Sequence, residues 1–108
     1  LTRKFEFIQK ERVFFAGAFR SDDHNSLREH DYELILDFYT QLIGRKTGRQ
    51  PEENILFPLR LYCRGSIDMT VEWIFAQKEK TPEQMAALLV SAFPAPVTDL
   101  FQQLGVLR

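Results

Sequence analysis

Cysteine is almost missing from this 108-residue chain, and so is any surplus of one charge. The single thiol, Cys63, has no partner to close an internal disulfide. Fourteen Lys and Arg stand against fifteen Asp and Glu, for a net charge of -1. With no basic excess to displace counterions from phosphates, the chain by itself makes a poor DNA- or RNA-binding surface. No apolar run approaches the roughly 18 residues of a membrane span, and no secretory leader opens the sequence. These absences point to the cytoplasm, with no membrane partner. Glycine and proline are sparse too, at five each, and fall where helices would begin or end rather than at the short spacing of an all-β protein. There is no internal repeat, low-complexity tract or linker, so residues 1–108 read as one domain.

What the chain does hold is apolar and aromatic bulk. Hydrophobic residues make up 44%, among them ten Phe, three Tyr and one Trp. Each large ring can remove roughly 150–250 Å² from water, which favours a packed core over disorder. The chain opens on Leu1 rather than Met, so it is expected to continue a longer protein on its N-terminal side.

Periodicity predicts an all-α antiparallel bundle of four to five helices. Leu1, Phe5, Ile8, Phe15 and Phe19 share one face of a first helix running to about Phe19, with Phe7 and Phe14 opposite, so that helix is expected to touch neighbours on two sides. A polar turn, Ser21 to Ser26, offers caps for a second helix to Ile43, with Leu27, Leu34, Ile35, Phe38, Tyr39 and Leu42 as its stripe and Gly44 at its end. Pro51 opens a long third helix to about Gln77, started or bent at Pro58. Thr81-Pro82-Glu83-Gln84 reads as a capping box for a fourth helix, which Pro94 and Pro96 stop. Val97, Leu100, Phe101 and Leu104 then allow a short fifth.

The long helix is apolar over an arc of roughly 200°, about twice what packing on one core requires. Its surplus predicts a second apolar partner, most naturally another copy of the chain. Gly65, Ser66 and Ala76 near one margin permit close backbone approach, while Arg60, Arg64, Asp68 and Glu72 along the polar edge can pair at i,i+4. The alternative is that the whole arc, with Phe57, Leu61 and Phe75, is monomer core.

Phe14-Phe15 after the first amphipathic helix, Tyr62-Cys63-Arg64-Gly65-Ser66-Ile67-Asp68 leading to Val71-Glu72-Trp73-Ile74, and Thr81-Pro82-Glu83-Gln84-Met85-Ala86 together resemble the C-terminal domain of TetR-family bacterial transcriptional regulators, of the type common in Firmicutes. The resemblance covers about Leu1 to Phe93. It implies a ligand-sensing and dimerising domain that follows a helix-turn-helix unit absent from this chain, so operator DNA is contacted only through that unit. It implies a homodimer formed through the last two long helices, with Gly65, Met69, Trp73, Ala76, Met85, Leu88 and Leu89 at the interface. It also implies an apolar cavity for a small apolar or aromatic effector, lined by Phe15, Phe38, Tyr39, Leu59, Tyr62 and Cys63, with Tyr hydroxyls, Ser66 or Thr70 as its few polar contacts. The tail from Ala95 to Arg108 departs from the family pattern.

Other chemistry is weakly represented. His24 and His30 lie among Asp22, Asp23 and Asp31, but six residues apart they do not share a helical face, so no metal site is expected. Cys63 falls in an apolar stripe with no base beside it, and no phosphate loop or nucleophile elbow occurs. No cofactor and no enzymatic activity are expected. A helical adaptor that dimerises without binding any small molecule is the competing reading.

Overall fold

The computed structural model describes residues 1–20, 24–76 and 80–105, and not the side chain of His24. It contains six helices and, among the described residues, no strand: α1 Thr2–Lys10, α2 Arg12–Arg20, α3 His24–Thr47, α4 Glu53–Phe75, α5 Pro82–Ser91 and α6 Ala95–Gln103. Of the polar turn expected from Ser21 to Ser26, residues 21–23 lie outside the described residues and helix has begun by His24; the long helix ends at Phe75, ahead of Gln77, and the tail beyond residue 105 is likewise outside the described residues.

The first helix is not continuous. Glu11 leaves helical geometry, with φ -103° and ψ 30°, and splits it into α1 and α2. Lys10, Glu11 and Arg12 carry no apolar anchor, and the two halves dock on different partners: α1 packs against α5, whereas α2 packs against α4 and α3. The break lets each half follow its own groove. It also leaves Phe7 and Phe14 exposed rather than against a second neighbour.

Helix α3 runs one turn past Gly44. Its stop is Gly48, whose φ of +73° is the left-handed conformation that glycine adopts without strain. Thr47 Oγ1 donates to the Ile43 carbonyl at 2.8 Å and accepts from the Arg49 amide at 3.1 Å, which closes the end. Leu34 and Phe38, expected in the stripe, are exposed, whereas Tyr32 and Ile43 are buried.

Helix α4 starts at Glu53 and passes through Pro58. It is the spine of the molecule, with α2, α3 and α6 packed around it. Its buried residues are Leu59, Cys63, Ile67, Val71, Trp73 and Ile74. Arg64 and Asp68 do not pair along the helix. They reach α3 instead, Arg64 to Glu29 at 2.9 Å and Asp68 to Arg28. Arg60 Nε also donates to the Tyr32 hydroxyl at 3.1 Å, and the Arg64 guanidinium lies 3.7 Å from the centre of the Tyr32 ring. The partners of residues 28, 29 and 32 descend from 68 to 60, so α3 and α4 are antiparallel.

The capping box at Thr81 forms as expected. Thr81 Oγ1 accepts from the Gln84 amide at 3.1 Å, and Gln84 Oε1 accepts from the Thr81 amide at 2.9 Å. Pro94 caps the short last helix, whose Val97 and Phe101 are buried in the same core as Leu59 and Ile43.

Candidate functional site

The upper half of the bundle does not fill. A cavity of about 530 Å³ lies between α1, α2, α3, α4 and the Leu89 end of α5. Phe5 and Ile8 form its α1 wall, Phe15 and Phe19 its α2 wall, and Ile67, Val71 and Ile74 its α4 floor. Such a volume falls within the range of small-molecule sites. Phe7, Leu34 and Phe38 line it while staying more than half exposed, so they leave its mouth open. Phe7 and Phe14 both meet Phe15 edge to face, at 6.0 and 5.4 Å, which makes an aromatic lip.

Three of the six polar or charged side chains of the cavity are already engaged. Tyr62 donates its hydroxyl to the Leu89 carbonyl at 2.7 Å, Ser66 to the Cys63 carbonyl at 3.0 Å, and Thr70 to the Ser66 carbonyl at 2.7 Å. Burial, helped by the neighbouring Tyr39 and Cys63, pushes the Tyr62 hydroxyl up to about 12, and burial raises Tyr39 above its ordinary value as well. Both phenols are therefore neutral at physiological pH. Two charged residues complete the lining: Lys4 on α1, which is exposed, and Asp31 on α3, which is half-buried. Burial raises the Asp31 carboxyl, against the opposing pull of Lys4 and His30.

Five of the seven residues expected in a ligand pocket come together here: Phe15, Phe38, Tyr39, Tyr62 and Ser66. Leu59 and Cys63 do not line it. Both are fully buried one layer below, where they pack rather than face the void. Burial takes the Cys63 thiol up to about 11, so it is a packing residue without nucleophilic character. Asp31 was accessible to sequence reasoning, since Asp31, Leu34, Ile35 and Phe38 fall at i, i+3, i+4 and i+7. A charged residue at the edge of a stripe is ordinarily solvated, which masks the signal.

The residues expected at a dimer interface separate into groups. Trp73 and Met85 are core residues, 4% and 5% exposed. Trp73 packs on Phe5 and donates its indole N–H to the Lys80 carbonyl at 2.7 Å, so neither side chain is available to a second subunit. Leu89 lines the cavity, and the Ala76 carbonyl accepts a hydrogen bond from Arg12. Gly65, Met69 and Leu88 are exposed. The exposed strip of α4 extends further than expected, to Phe57 and Leu61, 60% and 67% exposed.

A second, more polar cavity of about 400 Å³ lies at the opposite end, bounded by Arg49, Glu52 and Asp99. Among the described residues no group of His, Cys, Asp or Glu is arranged to hold a metal ion. No single described helix is long and apolar enough to cross a membrane.

The described residues thus form an all-helical domain with an aromatic cavity in one half and an uncovered apolar strip along its central helix. Residues 1–93 match the TetR_C_8 family profile, described as a transcriptional regulator C-terminal region. The chain belongs to this family of TetR-type regulator C-terminal domains. Searches of curated proteins and of solved structures give no match.

Proposed function

We propose that this domain senses a small, largely apolar or aromatic molecule in the cavity bounded by α1, α2, α3 and α4, and that it pairs with a second copy through the exposed faces of α4 and α5. In the complete regulator, a helix-turn-helix unit would read the operator. The observation that carries the sensing reading is the cavity itself: about 530 Å³, walled mainly by aromatic and aliphatic side chains. A ligand that favours one tilt of the two subunits alters the separation of two DNA-reading heads, which must span half-sites roughly 34–36 Å apart. A coupling of about 1–3 kcal/mol suffices for such control.

The dimer reading draws on Phe57, Leu61, Gly65 and Met69, successive four-residue steps on α4 that together with Leu88 of α5 are all exposed. Pairing two such strips would remove them from water.

Two measurements test these readings. A ligand present at 100 times its dissociation constant should stabilise the domain by about 2.7 kcal/mol in thermal denaturation, and a broad apolar panel giving no shift would contradict sensing. In sedimentation equilibrium the domain should be a dimer that Leu61→Glu converts to a folded monomer. A natural chain that is monomeric at every concentration removes the dimer.

A further inference from the structure

The cavity holds one half-buried carboxylate, Asp31, and several ring faces that meet no charge of the chain's own among the described residues. Several rings of this chain carry one of its own guanidinium groups: Arg12 lies 5.6 Å from the Trp73 ring centre, Arg20 5.0 Å from Phe75, Arg64 3.7 Å from Tyr32, and Arg28 5.9 Å from Phe19 on the α2 wall of the cavity. The carboxylates at the α3–α4 seam are treated the same way, Glu29 by Arg64 and Asp68 by Arg28. At the cavity mouth both devices are missing. Among the described residues, no cation lies over Phe7, Phe15 or Phe38, and Asp31 has neither a hydrogen bond nor an ion pair within 4.0 Å. Lys4 is near enough to influence Asp31 but stays exposed on the rim.

We infer that the cavity takes a lipophilic cation, an amine with an apolar or aryl body, whose charge sits beside the Asp31 carboxylate and whose body lies between the α1 and α4 walls. This rests on the sensing reading above and narrows its ligand class. Three considerations favour a cation over an anion or a neutral body. A half-buried carboxylate with no partner gains most from an opposite charge brought into a partly desolvated space. Ring faces attract cations through their quadrupole and repel anions. The hydroxyls of Tyr62, Ser66 and Thr70 already donate to backbone carbonyls, which leaves a carboxylate ligand only the Tyr39 hydroxyl and the Lys4 ammonium at the rim as side-chain donors. Burial disfavours the Asp31 charge in the empty cavity, as its raised pKa records, and an ammonium group reverses that disadvantage.

The test uses three molecules of one shape: 4-phenylbutylamine, 4-phenylbutanol and 4-phenylbutyrate, titrated calorimetrically into the folded domain at neutral pH. The amine is expected to bind at least ten-fold more tightly than the alcohol, and the butyrate more weakly than either. Asp31→Asn should bring the amine down toward the affinity of the alcohol, and Lys4→Gln should strengthen the amine by removing a like charge from the rim. Trp73 emission shows whether each variant is folded. Equal binding of amine and alcohol, or an amine indifferent to Asp31→Asn, overturns the cation assignment while leaving a sensor of neutral molecules. Tightest binding by the butyrate overturns it in favour of Lys4. If none of the three binds, the sensing reading falls with it.

Discussion

The rings of Phe5 and Trp73 meet at 87° with centroids 5.4 Å apart, joining the cavity wall on α1 to the C-terminal turns of α4. Phe5 lines the cavity and is 1% exposed, and Trp73 is the only tryptophan in the chain. The pair therefore holds α1 in place and reports on it. Phe5→Leu removes the aromatic contact and leaves a small void, at an expected cost of about 1–3 kcal/mol. Denaturant unfolding followed by Trp73 emission measures it, and an unchanged midpoint would show that α1 does not depend on this contact.

Thr81→Ala tests the start of α5. It removes the hydroxyl that accepts from Gln84 and leaves that amide without its partner. The expected loss is about 0.5–2 kcal/mol, read in the same unfolding assay. Because α1 packs on α5, hydrogen exchange should rise in both helices.

How much of this was legible beforehand follows from what each feature depends on. The Thr81 box needs only residues 81–84, and it formed as the sequence indicated. The break at Glu11 depends on α1 and α2 docking on different helices, a fact carried by no local pattern. The predicted α3 stripe omits Tyr32, although it stands seven residues before Tyr39 at the margin of that face, and Arg60 and Arg64 of α4 close over it. Periodicity placed Trp73 and Met85 on apolar faces correctly but could not say whose core would cover them. The cavity was foreseeable only in part, since alternation of apolar residues reports burial and not the space left between side chains.

Asp31→Asn should stabilise the empty domain. The folded carboxyl ionises at a higher pH than the unfolded one, because burial disfavours its charge. The folded state thus holds the proton longer, and the natural chain loses stability as pH rises through the interval between the two values. The advantage of Asp31→Asn is expected to be near zero below the ordinary carboxylate range and to level off above it at about 0.5 kcal/mol, kept small by partial solvation. Thermal melts of both proteins across acid to neutral pH measure this. An advantage that shrinks as pH rises would reverse the assigned cause.

Cys63 should be silent while the domain is folded. Its thiol is wholly buried and raised to about 11. At pH 8, about one thiol in a thousand is ionised on that basis, and access is blocked as well. Alkylation by iodoacetamide should proceed only at the rate of unfolding and become rapid in denaturant. Fast labelling of the native protein would place Cys63 on an open surface.

The central claim is that a small molecule enters the space bounded by α1, α2, α3 and α4, and methyl NMR tests it most directly. With 4-phenylbutylamine as the probe, the isoleucine δ-methyl signals divide the chain cleanly. Ile8, Ile35, Ile67 and Ile74 line the cavity, whereas Ile43 and Ile55 border the opposite end of the bundle. Saturable shifts confined to the first four are the predicted result. Shifts centred on Ile43 and Ile55, or none at saturating probe, would contradict it.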